Sequence, residues 1–295
     1  MSQTTNAVSR TNNNKQNQSA IAIVPENIYR LIEVSQSQID GNQTQFTATI
    51  FNNMESLKVC WAANYHELRI KEGDLVSPRW PATMAFENGA LKIHHLAHLK
   101  RPEPMLNLFR TVPAEWVDDV DLINEGIDLV EKIPGNYRHL FNAIFWDGQR
   151  FKRYCTLPAT IDGHHSEDNG NLRHSIEVAK DIWQLSQYRE MEVDGLGVLV
   201  GLLHDAGKAD SFYLNEDGEW KLNGFGNYLD HKLMVNEWIT QAVVKFDLVL
   251  SKAYYWAIFH CLNSRPSDSS TTDTRPLFRE ARLLLTMDQL SELDW

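Results

Sequence analysis

Cysteine is scarce: Cys60, Cys155 and Cys261 are the only three in 295 residues, an odd number at wide spacings. That excludes a disulfide framework and a zinc ribbon and predicts a reducing compartment. Long apolar runs are missing too. No stretch approaches the roughly eighteen apolar residues that cross a bilayer, and the first residues lack the apolar segment of a secretory signal, so a cytoplasmic address with no membrane partner is expected. Positive charge is in deficit, with 28 Lys and Arg against 39 Asp and Glu, a formal charge of −11. A protein that coats duplex DNA through a wide basic face needs the opposite balance. The deficit is local. Residues 113–295 carry 17 basic and 30 acidic side chains, whereas residues 24–112 carry nine of each. Bound divalent cations would offset part of that acidity, although most acidic surface is simply solvated.

What is present suffices for two cores, since 43% of the chain is hydrophobic and nine residues are Trp. Residues 1–22, rich in Asn, Gln, Ser and Thr, read as a disordered tail. Residues 23–104 contain short β-prone runs at Ile28–Val34, Phe46–Phe51, Leu57–Ala63, Asp74–Trp80 and Leu91–Leu96. Gly41-Asn42, Asn52-Asn53, Lys71-Glu72-Gly73 and Asn88-Gly89 supply turns. Five short strands suit a small OB-like β-barrel, a fold that commonly binds single-stranded nucleic acid. A β-domain that packs or dimerises, giving a homo-oligomer, fits the same pattern.

After Arg101-Pro102-Glu103-Pro104 the period becomes helical, and residues 105–295 read as an all-helical bundle. Pro113 can open a helix whose apolar face is Val117, Val120, Ile123, Ile127 and Val130, ending at Pro134-Gly135. Further helical patterns cover about 137–146, 171–188, 194–206, 226–246, 251–262 and 276–291. Tyr213–Leu222, around Asp217-Gly218, reads as a hairpin or loop between them. The expected fold class is multidomain: β first, then all-α.

The most telling local pattern is Leu202-Leu203-His204-Asp205-Ala206-Gly207-Lys208. The helix before it is apolar on nearly all sides and must be buried, and a His-Asp pair at its end is costly unless a cation or polar partners satisfy it. An imidazole nitrogen beside a carboxylate oxygen suits Mn²⁺, Fe²⁺, Ni²⁺ or Mg²⁺, and the Asp can bridge two ions. Gly207 permits a left-handed helix exit, and Lys208 can reach a substrate phosphate as a point charge. Taken alone, the pair reads better as a helix C-cap with a satisfied His.

His174 shares a helix with Leu172, Ile176, Ala179 and Trp183 and either faces the centre or is a core histidine. Asp288 follows the apolar Leu283–Leu285, where an unpaired acid is penalised, or is a helix-end charge like Glu292 and Asp294. His231 and His260 begin or interrupt apolar helical segments and complete a set able to hold a second ion. His164 and His165, beside Glu167 and Asp168, are substrate contacts, a peripheral metal site or a merely polar loop. His94, His95 and His98 lack an obvious fourth ligand for zinc.

The order His174, His204-Asp205, Asp288 resembles the H…HD…D pattern of the HD superfamily of metal-dependent phosphohydrolases, over roughly residues 155–290. The resemblance implies a helical bundle with metals at its centre, and His231 and His260 fall where members with a second metal site place additional histidines. More closely, Leu157-Pro158-Ala159, His164-His165, Gly170-Asn171-Leu172-Arg173-His174 and His204-Asp205-Ala206-Gly207-Lys208, behind a β-domain, resemble YhaM-type 3′→5′ exoribonucleases, which combine an OB domain with an HD domain. The Pro-Ala…His-His stretch also resembles the HD domain of TraI-type proteins from mobile elements. The chain departs from these relatives at His260-Cys261, where they often carry His-His, and at Gly170-Asn171-Leu172, where they often carry Gly-Gly-Leu.

These resemblances imply one or two divalent ions per chain that lower the pKa of a bound water for in-line attack on phosphorus. The expected ligands are His174, His204, Asp205 and Asp288, with His231 and His260 for a second ion. Asp205 as shared ligand and Lys208 on the phosphate oxygens are the expected catalytic groups, and His164, His165, Arg173 and Lys208 the expected substrate contacts. The expected activity is a metal-dependent phosphodiesterase, a 3′→5′ exonuclease on single-stranded RNA or DNA, with Trp61, Tyr65 or Trp80 as stacking platforms. Two alternatives remain open: hydrolysis of nucleotides or cyclic dinucleotides with a regulatory or dimerising β-domain, and a non-catalytic nucleic-acid-binding accessory protein.

Overall fold

The computed structural model describes residues 27–39, 43–64, 70–189, 195–265 and 278–291. The tail expected over 1–22, the Gly41-Asn42 turn, Tyr65, Glu292 and Asp294 lie outside the described residues. The first part is one sheet of seven strands: β1 (Tyr29–Gln38), β2 (Thr44–Asn52), β3 (Glu55–Ala63), β4 (Leu75–Arg79), β5 (Phe86–Glu87), β6 (Ala90–Lys92) and β7 (His95–His98). Strand β2 shows why it is a strand. Its residues alternate between buried and half-buried along its whole length, the period of a pleated strand with one face on a core.

The strand order is β5-β6-β3-β2-β1-β4-β7, with β3 and β6 parallel and the other pairs antiparallel. This overturns the OB-like barrel. The sheet is mixed and curls into a half-barrel whose edge strands β5 and β7 do not pair with each other among the described residues. Leu91–Leu96, expected as one strand, is divided. It breaks in the middle: the Ile93 amide bonds Cys60 O on β3, and the next amide, His94, bonds Arg79 O on β4. One segment therefore pairs with β3 over Leu91 and Lys92 and with β4 over His95 to His98, and no single strand spans its length.

The second part holds eight α-helices among the described residues: α1 (Val120–Glu131), α2 (Gly135–Ile144), α3 (Gly148–Thr156), α4 (Gly170–Tyr188), α5 (Leu196–Leu203), α6 (His231–Phe246), α7 (Lys252–Asn263) and α8 (Arg279–Ser291). It is not all-helical, because β8 (Phe212–Leu214) and β9 (Trp220–Leu222) form a hairpin that starts one residue before the expected Tyr213–Leu222 interruption and ends with it. Pro113 does not open a helix. Helix α1 starts at Val120, where the Asp119 carboxylate caps it by accepting from the Leu122 amide at 3.0 Å. No helix of the described residues is long and apolar enough to cross a membrane.

Two hydrophobic cores result. The smaller lies within the curled sheet around Leu31, Phe46, Ile50, Val59 and Trp61. The larger is helical but takes in Leu75 from the sheet, Ile28 and Leu99 from the segments flanking it, and Leu106, Leu108, Phe109 and Val112 from the connecting segment. Arg30 locks the two parts together. Fully buried, it donates to Gly73 O at 2.8 Å and Thr111 Oγ1 at 2.7 Å, and its guanidinium lies 5.4 and 5.1 Å from the ring centres of Trp116 and Phe151. Burial pulls its pKa down to about 10.

Candidate metal centre

Every residue of α5 is buried, so its C-terminal end delivers His204 and Asp205 into the interior. Helix α4 lies against it at very short range. A Cβ on Gly201 would stand 2.7 Å from the Ala179 Cα, so glycine is what lets the two backbones approach. His174, on the first turns of α4, thereby comes within reach of His204, and Asp288 on α8 closes the group.

The donor atoms converge. His174 Nε2 and His204 Nε2 are 3.1 Å apart, and Asp288 Oδ1 lies 3.2 Å from the first and 3.4 Å from the second. Asp205 Oδ2 is 3.6 Å from His174 Nε2 and 3.7 Å from His204 Nε2. Nitrogen and oxygen donors held about 2.0–2.2 Å from one ion stand roughly 3.0–3.6 Å apart in octahedral or tetrahedral sites. His174, His204 and Asp288 fit a divalent ion on that spacing and on their chemistry, and Asp205 stands at the edge of the range from the two imidazoles. The tautomer agrees: His204 Nδ1 donates to Gly201 O at 2.7 Å, which turns Nε2 to the centre, as in metal-ligating histidines held by a backbone carbonyl. His174 Nδ1 is likewise engaged, 3.1 Å from Ser291 Oγ.

Asp205 faces two ways. Its Oδ2 is 2.5 Å from Lys208 Nζ, and its Oδ1 is 2.9 Å from His231 Nε2, a buried atom with no aligned hydrogen bond. His231 is at Asp205 because Gly207 lets the turn after α5 touch the start of α6: a Cβ there would meet His231 O at 2.0 Å. Gly207 thus serves close approach. It is not among the positive-φ residues, so the left-handed exit expected of it does not occur.

Charge at the centre follows from these contacts. Burial opposes ionising Asp205, but Lys208, His204 and His231 outweigh it and hold the carboxyl well below its ordinary range. Asp288 is held down in the same way, its burial outweighed by hydrogen bonds from His174 and His204. Burial works against a charged His204, yet Asp205 and Asp288 raise its pKa. Two ionised carboxylates in a largely buried setting make the centre attractive to a cation.

The remaining expected residues divide. His164, His165 and Lys208 line one cavity of about 230 Å³ with Ala159, Thr160, His174 and Asp205. His260 does not join the cluster: its Nε2 accepts from the Phe278 amide at 3.3 Å and its ring packs edge-on to Phe278. Arg173 is tied to Asp119 Oδ2 at 3.0 Å and lies 3.8 Å from Glu167 Oε1. Trp61 is core, stacked on Phe46 with ring centres 5.1 Å apart, and the half-buried Trp80 donates through Nε1 to Asn27 Oδ1. Of the His94, His95 and His98 group, His98 lies 3.7 Å from Asp74 Oδ2.

Sequence reasoning missed Glu177 and Ser291. Glu177 Oε2 is 2.9 Å from His165 Nε2, and Ser291 Oγ sits between Glu177 Oε2 at 3.5 Å and His174 Nδ1. A signal existed. Glu177 lies three residues after His174 and Ser291 three after Asp288, so each shares a helix face with an expected ligand. No protein-family model, curated protein or solved structure matches the chain.

Proposed function

We propose that this chain is a divalent-metal-dependent phosphodiesterase with His174, His204, Asp205 and Asp288 as the ligands of its ion. The observation that carries it is the convergence of His174 Nε2, His204 Nε2 and Asp288 Oδ1 within 3.4 Å of one another, with Asp205 Oδ2 3.6 and 3.7 Å from the two imidazole nitrogens. The ion supplies Lewis acidity and a lowered water pKa when bound. The chain's own groups do the rest. Asp205 directs one oxygen to the two histidines and the other to His231, and Lys208, on the cavity wall, neutralises negative charge on a phosphate beside Asp205. A cavity of about 230 Å³ takes the phosphate and its immediate substituents, so the remainder of the substrate extends outside it.

The motif resemblance to HD phosphohydrolases and YhaM-type exoribonucleases assigns single-stranded RNA or DNA, attacked from the 3′ end, as the substrate. The three free, buried cysteines support a reducing, cytoplasmic setting. The test is degradation of end-labelled single-stranded RNA and DNA with Mn²⁺, beside mononucleotide and cyclic dinucleotide substrates, using wild type and Asp205→Asn. The substitution keeps the volume but removes the charge that both histidines and Lys208 face. Hydrolysis is expected to drop at least a hundredfold and Mn²⁺ binding to weaken with it. Full turnover in the folded variant with unchanged metal content would sink the assignment, and cleavage of only the small nucleotides would replace the exonuclease reading.

A further inference from the structure

A second group of donors lies against the first. His164, His165 and Glu177 each bring one ligand atom within 4.8 Å of the others, a spacing that a cation can draw together. The chain goes to some length to present the two histidines. His165 takes a left-handed backbone, φ 56°, which a non-glycine residue adopts only when its surroundings impose it. The constraint is visible: His165 O accepts from the Ala159 amide at 2.8 Å, Thr160 Oγ1 donates to His164 O at 3.0 Å, and a Cβ on Gly170 would stand 2.1 Å from His165 O. The loop is thereby pinned to the start of α4, with Glu177 two turns further along that helix.

The His165 ring is oriented as a ligating imidazole is. Its Nδ1 faces Glu167 Oε1 at 3.4 Å, while Nε2 faces Glu177 Oε2 at 2.9 Å, so a carboxylate behind the ring fixes it from the far side. Its ring centre is 5.9 Å from that of His174, and Ser291 Oγ lies between Glu177 and His174 Nδ1. His164 and His165 also line the same small cavity as His174, Asp205 and Lys208.

We infer that His164, His165 and Glu177 form a second divalent-cation site, next to the His174–His204–Asp288 centre and opening on the same cavity. It fills the role that sequence reasoning gave to His231 with His260. Of that pair only His231 reaches Asp205. The site takes a borderline ion that accepts two imidazoles and one carboxylate, with solvent or a phosphate oxygen completing its shell. The inference concerns ion binding and rests on the phosphodiesterase reading only for the use of the second ion.

The probe is Co²⁺ alone, titrated into the full chain by calorimetry and by visible absorption, without substrate. Wild type is expected to bind two ions, and Glu177→Gln and His164→Asn one each, with the remaining ion of His164→Asn bound within threefold of its wild-type affinity. Glu177 is partly exposed and Gln is isosteric with it, while His164 is on a loop, so folding of at least one variant can be checked by circular dichroism. Asp205→Asn should lose the other ion. One ion in wild type that only Asp205→Asn removes overturns this inference and leaves the proposed function standing. Two ions retained in the Glu177 and His164 variants also overturn it. No ion in wild type removes both.

Discussion

Gly201→Ala tests how the centre is assembled, because the outcome has opposite signs for a free and a crowded position. At an unhindered interior helix position, Gly→Ala stabilises by about 1 kcal/mol through propensity. Here the new methyl would lie 2.7 Å from Ala179 Cα, 2.9 Å from Ala179 Cβ and 3.1 Å from Ala179 N, against the roughly 3.5–4.0 Å of ordinary contact. Both helices are buried at this level, so relief requires α4 and α5 to part by about 0.5–1 Å. Overpacking of that kind costs about 1–3 kcal/mol and outweighs the propensity gain. A net loss of up to about 2 kcal/mol lowers the thermal midpoint by as much as roughly 6 °C in a chain of this size. The same displacement separates His174 on α4 from His204 after α5, now 3.1 Å apart at their Nε2 atoms. Metal–ligand distances tolerate only about 0.2 Å, so Mn²⁺ affinity should fall about 10–100-fold. Urea unfolding and calorimetric Mn²⁺ titration measure the two effects. A variant more stable than wild type that binds Mn²⁺ equally well would refute the reasoning.

Three further outcomes follow from the same contacts. Gly207→Ala, whose methyl would meet His231 O at 2.0 Å, is expected to drive the start of α6 away and to break the 2.9 Å His231–Asp205 contact; an NMR titration in which His231 still responds to Asp205→Asn in that background would contradict it. Arg30→Lys keeps the charge but cannot span Gly73 O and Thr111 Oγ1 together, so denaturant unfolding should show a loss of about 1–3 kcal/mol, and an unchanged midpoint would show the fork to be dispensable. A fragment beginning at Ala114 removes Leu106, Leu108, Phe109 and Val112, with Ile28, Leu75 and Leu99, from the core they share with the helices; it is expected to lack a cooperative thermal transition by near-ultraviolet circular dichroism, and a sharp transition would mean the helices fold without the sheet.

The order of elements was legible where one face of an element is buried and the other is not, as in β2, or where burial is total, as in α5. It was not legible where pairing depends on distant partners. The split of Leu91–Leu96 into β6 and β7 follows from which edges Ile93 and His94 meet, and no local pattern encodes that. Helix α3 escaped because its nine residues, Gly148–Thr156, are mostly polar and bury only Phe151, Tyr154, Cys155 and Gly148. Its Asp147 cap, accepting from the Gln149 and Arg150 amides, was the available sign.

The candidate site divides along the same line. His204-Asp205 could be read because two polar residues end a helix that has no polar face, and a buried pair must be answered by something. His174 and Asp288 were each ambiguous alone, and the structure joins them through a 3.2 Å contact between helices 114 residues apart in sequence. Glu177 and Ser291 then follow from helical geometry: once α4 and α8 face each other through His174 and Asp288, residues one turn further on must also face each other, and these are the two that meet at 3.5 Å. The His260 expectation failed for the converse reason. Position on an apolar helix places a side chain on a face but does not choose the neighbour, and the neighbour here is Phe278 at the approach to α8. Ligands that share a helix with a known ligand can therefore be sought by period, whereas a lone histidine on another helix needs a contact to place it.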